Sequence, residues 1–126
     1  MDLPEDLRYS KDHEWVRVEG DRVRIGITDY AQDALGDVVF VQVPTVGTTV
    51  GAGEAISEVE STKSVSDIYA PVSGTIVEVN EDLGAHPERI NEDCYGDGWL
   101  CVIEASNPEE LTRLLDAEAY RELIGS

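Results

Sequence analysis

Several residue types are scarce in this chain of 126 residues, which has two cysteines, two histidines, one methionine and one phenylalanine. No stretch approaches the roughly 18 consecutive apolar residues that a membrane-spanning helix needs. The first six residues also lack the basic and apolar regions of a secretory signal peptide. We therefore expect a water-soluble, cytoplasmic protein that does not insert into a membrane.

The few cysteines and histidines form no recognisable reactive motif. Cys94 and Cys101 are seven positions apart, a spacing that matches no zinc, redox-pair or disulfide-framework pattern, so we expect free thiols. His13 and His86 have unrelated neighbours, which argues against a transition-metal site. The chain also lacks a serine elbow and a histidine-centred triad. We therefore predict no metal site and no catalytic residue of a stand-alone hydrolase.

Positive charge is scarce as well, because nine basic residues face twenty-seven acidic ones and leave a formal net charge of −18. This balance makes nucleic acid an improbable class of partner. So much negative charge repels itself in the folded state, and salt screens that repulsion, since the Debye length falls to about 3 Å at 1 M. We hypothesise a high-salt cytoplasm. An acidic protein of an ordinary cytoplasm remains the alternative.

Alternation of apolar and polar residues predicts a mainly β fold in one domain, residues 1–126, which we expect to be monomeric. Gly20 supplies a hairpin turn between the first two predicted strands. The predicted strands are residues 14–18, 22–27, 38–43 and 99–104, and residues 83–98 are predicted to be irregular.

Capping residues predict two helical segments. Thr28 is a good N-cap for a short helix over residues 29–35, and Gly36 can end it with a positive φ. Ser106 and Glu109 have capping-box spacing and flank an early proline, which predicts a C-terminal helical segment over residues 107–124. This segment is either one helix or two.

Lys63 is one of two lysines, and it lies where a hairpin is predicted to turn. Strand-like residues precede and follow it, which places the hairpin at about residues 55–80. The pattern of residues 46–54 is loosely repeated in residues 72–80, which suggests a quasi-symmetric pair of sheets with Lys63 at the tip of the connection. A lone amine at an exposed turn is a possible handle for covalent modification.

Five ordered motifs carry a family resemblance that covers nearly the whole chain. They are Lys-Asp-His-Glu-Trp-Val (residues 11–16), Gly-Ile-Thr-Asp-Tyr-Ala-Gln (26–32), Leu-Gly-Asp-Val-Val-Phe-Val (35–41), Glu-Ser-Thr-Lys-Ser-Val-Ser-Asp (60–67) and Asn-Glu-Asp-Cys-Tyr-Gly-Asp-Gly-Trp-Leu (91–100). The chain resembles the H proteins of the glycine cleavage system, which are lipoyl-carrying shuttles. This resemblance implies a lipoyl/biotinyl-type β-barrel-sandwich hybrid with a short internal helix and a C-terminal helix or helices.

The resemblance also implies a cofactor and a set of partners. Lys63 would carry lipoate in an amide, and Glu60 and Gly74 would help a lipoate ligase or a lipoyl/octanoyl transferase to recognise the hairpin. A pyridoxal-phosphate-dependent glycine decarboxylase would load an aminomethyl group, and an aminomethyltransferase would unload it. Dihydrolipoyl dehydrogenase would then reoxidise the carrier, which is itself no enzyme.

A cleft for the loaded arm is the last feature that the resemblance implies. Glu14 and Asp67 would receive the protonated amine, in a region that also includes His13 and Asp12. Asp12 stands where other members carry a small hydroxyl residue, and its carboxylate would strengthen amine binding. Two further departures are Ala34, where some members carry a histidine, and Cys94, which replaces a common proline.

Two alternative carrier roles remain open at this point. A biotinyl carrier presents its lysine on a similar hairpin but usually flanks it with methionines, and Thr62 and Ser64 stand there instead. An H-like protein could also act as a lipoyl-group donor or scaffold in lipoate assembly, without a glycine decarboxylase partner. The sequence does not separate this donor role from glycine cleavage.

Overall fold

The computed structural model describes residues 2–125, which form two antiparallel β-sheets and several short helices. The strands are β1 (Arg8–Tyr9), β2 (Glu14–Glu19), β3 (Arg22–Ile27), β4 (Val38–Val41), β5 (Thr49–Val50), β6 (Ala55–Ser61), β7 (Val65–Tyr69), β8 (Gly74–Val79) and β9 (Cys101–Ala105). The helices are α1 (Asp29–Leu35), α2 (Asp82–Ala85), α3 (Arg89–Glu92), a 3₁₀ helix (Pro108–Arg113) and α4 (Ala117–Leu123).

The larger sheet has six strands in the order β1-β2-β3-β9-β8-β5, and the smaller has three in the order β4-β6-β7. All neighbouring strands are antiparallel. The sheets do not close into a barrel. The predicted fold class, a mainly β lipoyl-type hybrid with a short internal helix and C-terminal helices, is confirmed.

The main core lies between the two sheets. Val23 and Ile103 from the larger sheet are buried in the same cluster as Val41 and Val59 from the smaller one. Such burial of aliphatic side chains is the dominant favourable contribution to folding, at about 25 cal/mol per Å² of apolar surface. The smaller sheet, which contains the Lys63 hairpin, is therefore held on a rigid base.

The first half of strand β2, residues 14–16, is buried on both of its faces. Val16 faces the main core, whereas Trp15 belongs to a second cluster with Tyr9 and Tyr120, whose rings stack with their centroids 4.8 Å apart. Because side chains alternate along a strand, Glu14 shares the inner face with Val16. A carboxyl group is thus placed on a face that normally holds apolar residues.

Most of the predicted elements are present. The hairpin of β2 and β3 and helix α1 are confirmed, with Thr28 as the N-cap and Gly36 at φ +81°. β4 is shorter than predicted and ends at Val41, although the N–H of Gln42 still donates to the carbonyl of Glu58 on β6 (2.9 Å). The last strand begins at Cys101 rather than at residue 99.

Two predictions are wrong in detail. Residues 83–98 are not wholly irregular, since helix α3 and most of α2 lie there as single turns around the buried Leu83 and Ile90. The C-terminal segment is two helices, which is one of the two predicted alternatives, and the stretch between them is extended, with Leu115 in a β-bridge to Tyr9. The 3₁₀ helix is capped by the side chain of Asn107, not by Ser106. No helix within residues 2–125 is both long and apolar enough to cross a membrane.

Candidate functional site

Lys63 lies at the exposed tip of the hairpin that joins β6 to β7. The turn is held by the side-chain oxygen of Ser61, which accepts hydrogen bonds from the backbone N–H groups of Lys63 (3.2 Å) and Ser64 (3.1 Å). The N–H of Thr62 donates to the carbonyl of Asp37 (3.0 Å), which ties the turn to the start of β4. The lysine therefore stands on a fixed base while its side chain remains accessible.

The stem of the Lys63 side chain passes over Gly36, the residue that ends α1. A Cβ on Gly36 would lie only 3.0 Å from Cε of Lys63, so the absence of a side chain there leaves room for the stem. Among residues 2–125, Lys63 forms no salt bridge with any carboxylate. Its amine is thus available for acylation.

A cavity of about 260 Å³ begins one residue after Lys63 and lies between the hairpin, α1 and the start of β2. We call it the arm cavity. Its lining residues are Asp12, His13, Glu14, Ile27, Tyr30, Ala31, Ala34, Leu35, Val59, Ser64, Val65, Ser66, Asp67 and Ile68. Apolar side chains form most of its wall, and the three carboxyl groups of Asp12, Glu14 and Asp67 are its acidic groups. Such a cavity suits a small cationic group on an apolar chain.

Glu14 is the buried acid of the arm cavity, with a relative exposure of 2%. Its Oε1 accepts a hydrogen bond from Oγ of Ser10 (2.6 Å), and its Oε2 accepts one from the N–H of Tyr69 (3.4 Å). Burial raises the pKa of Glu14 to about 7, although the two hydrogen bonds oppose that rise. This carboxyl group therefore exchanges a proton near neutral pH, unlike an exposed glutamate.

His13 is half-buried and fixed in place rather than free in the arm cavity. Its Nδ1 lies 2.8 Å from the hydroxyl of Tyr120, and its ring packs on that of Tyr30 with a centroid distance of 4.9 Å. Burial lowers its pKa, while the nearby charge of Asp12 acts in the opposite direction. Because the imidazole of His13 is largely neutral, it repels a cation in the arm cavity only weakly.

Asp12, Asp67 and Ala34 complete the set of cavity positions that the sequence singled out. Both aspartates are exposed, so they line the solvent side of the cavity, whereas Glu14 lies inside. Ala34 lies on α1 and leaves space where a larger side chain would enter the cavity. The structure therefore brings all four predicted cleft residues, one of which is the departure Asp12, and a second departure, Ala34, into a single cavity.

Glu60 and Gly74, predicted for recognition by the lipoylating enzyme, lie in different sheets. Glu60 is on β6 and faces Phe40 on β4 and Val65 on β7, beside the lysine turn. Gly74 begins β8 in the larger sheet, where a Cβ would collide with the backbone carbonyl oxygen of Glu104. The hairpin that carries Lys63 consists of β6 and β7 only, because β8 crosses to the larger sheet.

Both cysteines are buried free thiols. The pKa of each thiol is raised to about 12, mainly by burial. Such thiols are almost entirely protonated at neutral pH and are poor nucleophiles. Cys94, the third departure from the family pattern, lies away from the arm cavity, where its carbonyl accepts a hydrogen bond from Nε1 of Trp15 (2.8 Å).

Sequence reasoning missed four residues that shape the arm cavity and hold its polar groups. Ser10 and Tyr69 position the carboxylate of Glu14, and Tyr30 and Tyr120 hold His13. Nothing in the local sequence marks Tyr120, which lies 107 positions from His13. Ser10 is only four positions from Glu14, but the hydrogen bond depends on a loop whose conformation, with His13 at φ +72°, carries no sequence signature.

Comparisons with known proteins agree with this geometry. A family model described as glycine cleavage H-protein matches residues 7–126. The glycine cleavage system H protein of Geobacillus thermodenitrificans is 57% identical over 124 residues, which cover 98% of each chain. That of Mycobacterium tuberculosis is 59% identical over 127 residues, with 95% of each chain covered.

A solved structure gives the same result. The crystal structure of a glycine cleavage system H protein from Mycobacterium marinum superposes with a TM-score of 0.91 at 47% identity, covering 98% of this chain and 100% of that chain. The chain therefore belongs to the glycine cleavage H-protein family, and it is a carrier component of the glycine cleavage system rather than an enzyme.

Proposed function

We propose that Lys63 carries lipoate in an amide bond and that this chain shuttles the aminomethyl group of glycine between the enzymes of the glycine cleavage system. One observation carries the proposal. The exposed amine of Lys63, which forms no salt bridge within residues 2–125, sits on a fixed turn that leads directly into the wall of an acidic cavity. A tethered chain can therefore reach outward to a partner or fold back into its own carrier.

The residues around Lys63 fit this prosthetic group. The amine has no salt-bridge partner in the described part of the chain, and Gly36 leaves the space that the stem occupies. The walls of the arm cavity are mostly apolar, as an aliphatic chain requires, and its carboxyl groups suit an amine at the end of that chain. Bound lipoate would supply two sulfur atoms that cycle between disulfide and dithiol and can bear a cargo.

The carboxyl groups of the arm cavity would hold the amine of the cargo. Exposed ion pairs contribute only about 0–1 kcal/mol, so Asp12 and Asp67 would mainly attract and orient the cation. Glu14 is buried, and a charge-assisted hydrogen bond from an ammonium would contribute about 1.5–3 kcal/mol. Arrival of the cation would also lower the pKa of Glu14, so that the group ionises as the cavity fills.

The same carboxyl groups would keep the cargo amine protonated. A protonated amine has no free lone pair, and that lone pair would otherwise help to expel the sulfur bound to the same carbon. The apolar wall, which includes Ile27, Leu35 and Val65, would exclude water from the group at the same time. We propose that the arm cavity protects the cargo by holding a proton on it and by keeping water away.

We propose the partners that this cycle requires. A lipoate ligase or a lipoyl/octanoyl transferase would acylate Lys63, with Glu60 beside the turn as a recognition residue. A pyridoxal-phosphate-dependent glycine decarboxylase would load the carrier, an aminomethyltransferase would unload it, and dihydrolipoyl dehydrogenase would restore its oxidised form. The proposed setting is the cytoplasm, with the carrier as a monomer.

Intact mass tests the attachment site. Protein purified from its own cells should carry the mass of one lipoyl group, and a Lys63→Arg variant should carry none because a guanidinium is not acylated. A Lys11→Arg variant is the matched control, since it changes the only other lysine, and it should remain lipoylated. A biotin mass, an unmodified protein or a lipoylated Lys63→Arg variant would contradict the assignment.

Loading tests the shuttle role. Lipoylated protein incubated with the decarboxylase, pyridoxal phosphate and glycine should gain an aminomethyl group that depends on glycine. A Glu14→Gln variant should be loaded but should release ammonia and formaldehyde faster than the wild type in the absence of the transferase. No glycine-dependent mass gain in the wild type would favour the alternative role, that of a lipoyl-group donor.

A further inference from the structure

A second cavity, larger than the arm cavity, lies on the far side of the loop that contains Ser10. Its volume is about 410 Å³, within the range of pockets that bind small molecules. Three loops and the segment that follows the 3₁₀ helix meet there: residues 10–12, 52–53, 70–71 and 113–115. The proposed shuttle cycle uses one of its lining residues, Asp12, which also lines the arm cavity, and none of the others.

Two cations lie at this second cavity, although the chain has only nine basic residues against twenty-seven acidic ones. They are Lys11 and Arg113, both exposed, and neither forms a salt bridge with any carboxylate among residues 2–125. Asp12 is the acidic residue in the lining, so the local charge is positive. In a protein of net charge −18, a cavity whose lining carries two cations and one carboxylate is a place for an anion.

The remaining wall is mainly apolar. Its apolar lining residues are Ala70, Pro71, Leu114 and Leu115, together with the buried Tyr9. Ala52 and Gly53 add little more than backbone. An inorganic anion would leave this apolar surface uncovered, whereas a purely apolar ligand would leave both cations without a partner. The lining therefore matches a ligand that has one charged end and one apolar end.

We propose that the second cavity binds a small amphipathic monocarboxylate, whose apolar tail packs on Pro71 and Leu114 and whose carboxylate lies between Lys11 and Arg113. Guanidinium and ammonium groups donate charge-assisted hydrogen bonds to carboxylates. Ser10 lines this cavity, and its Oγ donates to the Glu14 carboxylate of the arm cavity. A ligand in the second cavity is therefore separated from the acid of the arm cavity by one side chain.

Titration with hexanoate, followed by the backbone amide signals of the ¹⁵N-labelled full-length chain, tests this proposal. At about 0.15 M salt the Debye length is about 8 Å, which screens distant carboxylates but not contacts within the cavity. Hexanoate should shift the amides of Ala52, Gly53 and Arg113 saturably and leave those of Ala31 and Ala34 in the arm cavity unchanged. Affinity should rise about fourfold for each methylene from butanoate to hexanoate.

Charge variants separate a specific site from general binding. Lys11→Gln and Arg113→Gln should each weaken hexanoate binding about threefold, a factor typical of the loss of an exposed ion pair. Arg22→Gln, which removes a positive charge that lines neither the second cavity nor the arm cavity, is the matched control and should leave the affinity unchanged. Hexanamide, which has the same tail without the charge, should bind more weakly than hexanoate.

Three outcomes would overturn the proposal. They are an absence of saturable shifts at the second cavity, equal affinities for hexanoate and hexanamide, and equal losses in the Arg22→Gln and Arg113→Gln variants. Since Lys11 and Arg113 are both exposed, their variants are expected to fold as the wild type does, and the amide spectrum reports this directly.

Discussion

Glu14 illustrates how burial changes the chemistry of one side chain. Its place on the inner face of β2 removes it from water, and two hydrogen bonds only partly compensate for that loss. The cost of keeping the group charged is acceptable in a carrier if a cation arrives to occupy the same cavity. Without a cation in the cavity, protonation of Glu14 gives a neutral carboxyl group, which costs less free energy to bury than the carboxylate does.

The raised pKa of Glu14 predicts a definite pH dependence of stability. The folded state holds a proton up to about pH 7, whereas the unfolded glutamate loses it near 4.5, so stability falls as the pH rises from about 4.5 to 7. Relative to a Glu14→Gln variant, the wild type should lose about 3 kcal/mol across that window. Urea unfolding of both proteins at pH 5 and pH 8 measures this difference.

Another variant of the arm cavity, Ser66→Ala, supplies the control for this measurement. Ser66→Ala changes a residue of the arm cavity without removing a titrating group, so its pH dependence should match that of the wild type. If Glu14→Gln and the wild type lost stability in parallel between pH 5 and pH 8, Glu14 would not be the group that titrates.

Gly74 is a residue whose structural and recognition roles can be separated. A Cβ there would collide with the carbonyl oxygen of Glu104 and lie 2.7 Å from Cγ2 of Ile103, so Gly74→Ala should lower the free energy of unfolding by about 1–3 kcal/mol. Gly84→Ala is the matched control, because a Cβ on Gly84, within helix α2, meets nothing closer than 3.9 Å. It should be neutral or slightly stabilising.

Thermal unfolding of the two glycine variants measures the difference, and intact mass then reports their lipoylation. A Gly74→Ala variant that is as stable as the wild type but is not lipoylated would show that the recognition role predominates. A variant that is less stable but fully lipoylated would assign Gly74 to packing alone.

Helix α1 is the element that joins the arm cavity to the rest of the fold. The Oγ1 of Thr28 accepts a hydrogen bond from the N–H of Ala31 (3.2 Å) and lies 2.8 Å from the hydroxyl of Tyr120. Tyr120, on α4, also contacts His13. One buried network thus connects the N-terminus of α1 to the C-terminal helix and to the cavity, and both helices contribute to the shape of the site.

Thr28→Val should therefore affect more than a helix cap. It removes an N-cap, which costs about 1 kcal/mol, and leaves the Tyr120 hydroxyl with one partner fewer in a buried position, for a total of about 2 kcal/mol. Asp116→Ala, which removes only the cap of α4, should cost about 1 kcal/mol. Urea unfolding compares the two, and equal losses would mean that the contact with Tyr120 contributes nothing.

The whole molecule is dominated by unbalanced negative charge. Few of its twenty-seven acidic residues have a basic partner, and the described salt bridges are surface contacts such as Arg22 with Glu104 (3.9 Å) and Arg24 with Glu19 (3.5 Å). Surface pairs of this kind contribute little. The remaining repulsion between acidic residues acts on the compact state as a whole. Against this negative background, Lys11 and Arg113 make the second cavity a local exception.

The high-salt hypothesis predicts that the urea-unfolding midpoint rises when KCl increases from a low concentration to about 1 M, where the Debye length is about 3 Å. The control is the same experiment near the sequence pI of about 4.1, where the net charge and hence the effect of salt should be much smaller. A midpoint at neutral pH that does not rise with KCl would remove the hypothesis and leave an acidic protein of an ordinary cytoplasm.

The sequence by itself determined the features that depend on neighbours along the chain. Alternation specified the β2–β3 hairpin, Thr28 and Gly36 bounded α1, and the motif around Lys63 indicated the turn and its family. These predictions succeed because strand periodicity, helix capping and turn formation involve residues only a few positions apart.

Only the tertiary structure decided which polar groups are buried and what they contact. Glu14 meets the backbone of Tyr69 at a separation of 55 positions, and His13 meets Tyr120 at 107. Gly74 lies against the backbone of Glu104 in the larger sheet, and the cations of the second cavity come from opposite ends of the chain. The physical reason is that burial and electrostatic environment are set by packing between distant elements, and local sequence does not encode that packing.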